Sequence, residues 1–395
     1  MHRRSFLFGT STLLISQLLV GCNASQQPKL LVQVLKGSIP GRIVNEFQGE
    51  LEKELSQKTQ LKFSPVSQLR ELFEKLQSYQ KQKTAGEESE GFDISRIFGK
   101  SEPNQIDLVT LGDYWLKDAI EKKLIQPFSS EKLENWDKLS PKWQDLVKRD
   151  AQGLQDGRGQ IWAAPYRWGS TVIIYRQDKF KKLGWEPQDW SDLWREEVEG
   201  KISLLNQSRE VIGLTLKKLG KSYNTDNLGE VPTLEEELQT LNQQVKFYNS
   251  SSYLEPLILG DTWLAVGWSH DVAPILSRYP RLKVAVPQSG TALWADLWVQ
   301  PKVANKEDKV LENISNKWID FCWKPEIAKQ IALLTKANSP ISDVTASDVP
   351  EQLQKLLSTN PQVFDKSEFL LPLSKQKTEQ YESFFKEMKK GKYNS

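Results

Sequence analysis

An indole and a carboxylate stand two residues apart at Trp294 and Asp296, within Gly290–Pro301. In a strand, side chains two apart share a face. The ring and the acid then point the same way, with Ala292 and Trp298 on that side and Leu293, Ala295, Leu297 and Val299 on the other. An alkylammonium group needs that pairing. The ring quadrupole attracts the cation by ~0.5–2 kcal/mol, and the carboxylate accepts a charge-assisted hydrogen bond. A core tryptophan beside a turn-capping aspartate has the same spacing, so the pattern alone leaves both open.

Two further residues belong with these. Trp268 follows an apolar run, Trp263–Gly267, and precedes a helical segment, and the ends of strands face the ligand crevice in open α/β sheets; a tryptophan covering the sheet end fits equally. Glu210 falls in the first turn of the helix expected over Arg209–Leu219, where the helix dipole favours a carboxylate even without a ligand.

Other chemistries find little support. Ser269-His270-Asp271 names the members of a catalytic triad, but such groups converge from separated positions, and Asp271 reads better as an N-cap. The chain has only two histidines and two cysteines, which leaves almost nothing for a His/Cys metal centre. No glycine-rich phosphate loop is present, and no cofactor or catalytic residue is expected. Lys+Arg 53 against Asp+Glu 51 shows no basic surplus for nucleic acid.

These side chains need a scaffold, and 395 residues suit two lobes rather than one core. Apolar runs predict strands at Leu30–Leu35, Leu61–Phe63, Ile106–Thr110, Thr171–Tyr175, Gly200–Leu205, Trp263–Gly267, Leu282–Pro287 and Ala292–Val299. Helical spacing predicts Ile43–Leu55, Leu69–Leu76, Tyr114–Lys123, Leu234–Val245, Asp271–Arg278, Asn313–Trp323, Glu326–Thr335 and Glu379–Lys390 between and after them. The alternation argues an α/β fold with a largely parallel sheet. Gln77–Asn104 is polar and reads as a partly ordered insertion with a short helix near Ile94–Phe98.

Met1–Val20 has the form of an export signal: a twin-arginine pattern at Arg3-Arg4, then an uncharged apolar run. It ends in Leu19-Val20-Gly21-Cys22, similar to the lipobox at which a bacterial chain is cut and lipid joined to the new N-terminal cysteine. Cys22 is thus the expected anchor, 22–29 a tether, and the remainder a body held at a membrane face without crossing it. Cleavage would remove two arginines and no acid, leaving 51 cationic against 51 acidic residues. Cys322, between Phe321 and Trp323, is then without a disulfide partner and reads as a small buried hydrophobe.

Three stretches together resemble the spermidine/putrescine-binding proteins of bacterial ABC transporters. They are Trp162–Thr171 with Tyr175, Trp190–Gly220, and Trp268-Ser269 with Gly290–Asp296. The resemblance implies a two-lobed type II periplasmic-binding-protein fold, its cleft between lobes joined by crossing strands near Tyr166 and Gly290. It implies lobe 1 over 30–166 and 292–345, lobe 2 over 167–291 and 346–395. It also implies a periplasmic monomer that delivers a polyamine to an ABC permease and its ATPase. Trp268 and Trp294 match positions that stack on polyamine methylenes, and Asp296 and Glu210 match carboxylates that take amines. Gln207 stands where an acid is usual, and Leu111-Gly112-Asp113-Tyr114 keeps an acid and an aromatic residue in a different arrangement. Lys36 and Arg167 would add positive charge if they faced the cleft, leaving a zwitterionic, amino-acid-like or anionic solute as the alternative.

Overall fold

The computed structural model describes residues 29–56, 58–88, 106–302, 309–341, 344–358 and 360–390, with the side chains of 81–88 excepted. The export segment, Cys22, most of the tether and the helix expected near Ile94–Phe98 lie outside these residues.

The alternation of apolar runs and amphipathic segments builds a sheet of eleven strands. Nine have three or more residues: β1 (Lys29–Leu35), β2 (Gln60–Val66), β3 (Leu108–Gly112), β4 (Ala164–Arg176), β5 (Ile202–Leu204), β6 (Val245–Tyr248), β7 (Leu264–Trp268), β8 (Leu282–Ala285) and β9 (Ala292–Pro301). The main path runs β2-β1-β3-β9-β4-β7-β5-β6, and β8 also pairs with β4. One parallel set is β2, β1 and β3; the other is β7, β5 and β6. Between them β9 runs antiparallel to β3 and to β4, and β4 antiparallel to β7 and β8. The sheet is therefore mixed rather than largely parallel, because two long strands pass from one parallel set to the other.

All thirteen residues of β4 are buried. It gives Tyr166 and Trp168 to a core cluster with Phe47, Trp298 and Trp318, and Ile173 and Tyr175 to a second with Trp190 and Tyr381. Val172 and Ile174 enter a third with Tyr253 and Leu276. Strands buried on both faces read as continuous apolar runs, which is why Thr171–Tyr175 was visible in the sequence.

Helix α1 (Gly41–Leu55) buries Ile43, Phe47 and Leu51, four residues apart on one face. Helix α2 (Leu69–Glu88) runs twelve residues past its apolar spacing into the polar segment, whose Gln, Lys, Glu and Ala are good helix formers. Short helices at Pro141–Val147, Gln177–Leu183, Glu255–Leu259, Glu351–Leu357 and Pro361–Lys366 show too few turns for a period to register in the sequence. Cys322 is buried with a free thiol, and burial raises its pKa. Among the described residues no helix is long and apolar enough to cross a membrane.

Candidate functional site

The register of the central strands sets the site. Opposite β4, Trp268 of β7 pairs with Thr171, Trp294 of β9 with Gly169, and Asp296 with Arg167. Directly paired residues share a face, so one side of this three-stranded region carries Trp268, Thr171, Gly169, Trp294, Arg167 and Asp296. The register shift after Asp296 skips Tyr166 of β4, while β9 keeps its one-for-one register with β3. Trp298 lies fully buried against Tyr166, with ring centroids 4.3 Å apart, and takes no part in the site.

Two helix N-termini complete the arrangement. Helix α3 (Ser208–Lys218) brings in Glu210 at its third position, and α4 (Ser269–Arg278) brings in Ser269 and His270. Glu210 is 4% exposed, yet among the described residues its oxygens are met only by neutral donors: the Trp268 indole N–H at 3.0 Å and the Thr171 hydroxyl at 3.1 and 3.0 Å. Burial raises its pKa; the Trp268 and Thr171 hydrogen bonds and the charge of Arg209 act the other way. Such a carboxylate gains most from an arriving cation.

The His270 ring bridges the two indoles. It lies parallel to Trp268, with centroids 6.2 Å apart, and edge-on to Trp294 at 4.9 Å. Trp268 and Trp294 thereby stand on either side of the His270 ring. Among the described residues the buried Trp294 Nε1 has no hydrogen-bond partner.

Asp296 is placed differently from a waiting acceptor. It is 1% exposed, and its Oδ2 takes the Arg167 Nε and Nη2 at 2.7 and 2.6 Å, the arginine being 6% exposed. Arg167 therefore does lie on the face that carries the candidate residues. Asp113 follows β3, and its Oδ1 accepts the Ala295 backbone N–H at 3.0 Å. Burial pushes its pKa up to about 7; the Ala295 N–H opposes this, the negative charge of Asp296 adds to it, and Arg149 opposes it. Gln207 is the exposed N-cap of α3 and makes no side-chain cap bond. Lys36 is exposed in the loop after β1, and Tyr114 is 66% exposed.

Asp271 is not the cap of α4. The helix begins two residues earlier, and Asp271 accepts the Tyr253 hydroxyl at 3.0 Å while His270 Nε2 lies 3.1 Å from it. The same Tyr253 oxygen accepts the Trp268 backbone N–H at 3.2 Å, fixing the end of β7.

Thr171, Gly169 and Tyr253 support the candidate residues but escape a reading of residue types. Their signal is register: Arg167, Gly169 and Thr171 alternate along one strand, which identifies a shared face only once the partner strands are aligned. The opposite face of β4 and β9 carries a cavity of about 450 Å³, lined in part by Trp168, Ser170 and Leu293. Its one acid, Glu186, already accepts from Tyr175 and Gln177. The candidate site is therefore taken as the face with Glu210 and the two indoles. Among the described residues no group of three or more His, Cys, Asp and Glu could hold a metal.

Known proteins share this arrangement of chain. The spermidine/putrescine-binding periplasmic protein of Escherichia coli is 28% identical over 226 residues, 57% of this chain and 61% of that protein. The putrescine/cadaverine-binding protein of Pseudomonas aeruginosa is 30% identical over 192 residues, 44% of this chain and 52% of the relative. The alignments thus span about three fifths or less of these two relatives. In structure, the spermidine/putrescine ABC transporter substrate-binding protein of Streptococcus pneumoniae superposes with a TM-score of 0.72 at 19% identity, covering 92% of this chain and 99% of that one. The Tp0655 lipoprotein of Treponema pallidum gives 0.63 at 15% identity, over 91% and 99%. These likenesses identify the fold as that of periplasmic solute-binding proteins. A family model for bacterial extracellular solute-binding proteins matches residues 104–371, which hold β4, β7, β9 and all the candidate side chains, and to that family this chain belongs.

Proposed function

We propose that the chain is the solute-capturing component of an ABC importer and takes an amine of the polyamine class between two lobes, over 30–166 with 292–345 and 167–291 with 346–395. The observation that carries this is Glu210, a buried carboxylate bonded among the described residues only by neutral donors, beside two indoles bridged by His270. An ammonium set there meets a carboxylate and apolar ring faces in a place largely shielded from water, which strengthens each ionic contact. The names of the relatives, which bind spermidine, putrescine or cadaverine, agree with that chemistry. Trp268 and Trp294 flank the carbon chain, Glu210 takes an ammonium, and Asp113 and Gln207 stand at the margin.

Closure of the two halves over the solute would give the permease the form it reads, and opening would release the cargo. The Leu19–Cys22 sequence supports lipid attachment at Cys22, holding a monomeric periplasmic body on a bacterial membrane beside its permease; Arg3-Arg4 supports export by the twin-arginine route.

Calorimetry of the purified protein with linear amines tests the proposal. Glu210→Gln keeps the shape of the side chain and removes its charge. A hydrogen bond to a charged group contributes about 1.5–3 kcal/mol, so amine affinity is expected to fall roughly 10- to 150-fold. Unchanged affinity in Glu210→Gln would reject Glu210 as the ammonium acceptor.

A further inference from the structure

Three observations on the same face set the charge of the solute. First, Arg167 and Asp296 are directly opposed in the β4–β9 register and bonded at 2.6 and 2.7 Å, both shielded from water. The Arg167 guanidinium carbon also lies 5.7 Å from the centre of the Trp294 ring. A solute cation seeking both the Asp296 carboxylate and the Trp294 face finds a protein cation already serving both. Displacing it would leave a guanidinium buried without its partner, the costliest way to break an ion pair. Second, Glu210 meets no cation at ion-pair distance among the described residues. Third, the Trp294 Nε1 is a buried donor with no acceptor. One carboxylate without an ion-pair partner and one donor without an acceptor, among the described residues, describe a solute charged at one end and hydrogen-bond accepting at the other.

Resting on the proposal that this site binds an amine, we propose that Arg167 is its specificity-determining residue: a built-in cation on Asp296 that restricts the solute to a single ammonium with a neutral acceptor at its far end, rather than a free diamine or triamine. The positive charge that a longer polyamine would bring to Asp296 is supplied by the chain itself. The two compounds that separate these cases are putrescine and N-acetylputrescine. They share a four-carbon chain and one ammonium, and differ in whether the second nitrogen is charged or is an amide.

Calorimetry with putrescine, N-acetylputrescine and spermidine tests the proposal on the wild type and on Arg167→Met. The wild type is expected to bind N-acetylputrescine at least tenfold more tightly than either free polyamine. Arg167→Met exposes Asp296 to the solute, and putrescine is expected to gain at least tenfold while N-acetylputrescine changes less than threefold. Arg167→Lys keeps the charge and should keep the wild-type order. If Arg167→Met fails to fold for want of a partner to Asp296, the double variant Arg167→Met/Asp296→Asn removes both charges and should bind putrescine no better than the wild type does. A wild type that binds putrescine or spermidine as tightly as N-acetylputrescine overturns this inference and leaves amine capture standing. Binding of none of the three by the wild type overturns amine capture, and the inference with it.

Discussion

Gly169 lies on β4 directly opposite Trp294, and a single methyl group there should disturb both the fold and the site. A Cβ built at Gly169 would lie 2.2 Å from the Ser269 Oγ and 2.4 and 2.7 Å from Trp294 Cζ2 and Cε2. Optimal carbon–carbon separations are about 3.5–4.0 Å, so the indole must retreat by roughly 1 Å. Ser269 has little room to yield: it is buried, and its Oγ accepts the Ser170 backbone N–H at 3.1 Å. Overpacking of this kind costs about 1–3 kcal/mol, and loss of the Ser269–Ser170 hydrogen bond about 1 more. Gly169 is not among the residues with positive φ, so alanine meets no backbone penalty and, by restricting the unfolded chain, acts in the opposite direction by about 0.4–1 kcal/mol. The net expectation for Gly169→Ala is a loss of about 2 kcal/mol in denaturant unfolding. Displacement of Trp294 should forfeit its ring contribution of ~0.5–2 kcal/mol, a weakening of roughly 2- to 30-fold in amine affinity by calorimetry. A variant that unfolds at the wild-type midpoint and binds amine with wild-type affinity would refute the account of Trp294 as a ring held in place by the absent side chain of Gly169.

Asp113 predicts a pH dependence of stability. Its native pKa of about 7 lies above its ordinary 3.8, so between those values the native state holds a proton the unfolded chain has released. Stability from this group therefore falls as pH rises through that window, with a slope of at most about 1.4 kcal/mol per pH unit. Glu210, also raised, acts with the same sign. Asp113→Asn should flatten the trend, and denaturant titrations across the window that show the same slope in the variant would assign it to other groups. Tyr253→Phe removes the oxygen that accepts the Trp268 N–H and donates to Asp271. A loss of about 1–3 kcal/mol in unfolding free energy is expected; an unchanged value would mean that Trp268 is held by β7 alone.

What the sequence disclosed, and what it hid, follows from the range of the forces involved. The strand Leu30–Leu35 and the helix Ile43–Leu55 were legible to within two residues because their burial pattern is local. The mixed sheet was not, since strand direction depends on where β4 and β9 return after long excursions. Trp294, Asp296, Trp268 and Glu210 could be named as candidates from type and spacing, but what brings them onto one face is strand register. The Arg167–Asp296 contact joins residues 129 apart and depends on a register that no single segment encodes. Asp271 looked like a cap because it begins an apolar period, but tertiary bonds from Tyr253 and the earlier start of α4 at Ser269 gave it another task.

The central ladder hands β4 from one partner to the next, β9 along residues 164–170 and β7 along residues 171–175, and this carries a mechanical consequence. On the two-lobe proposal, rotation of one half against the other is carried by β4 at that change of partner, between Ser170 and Thr171, within a strand that is buried along its whole length.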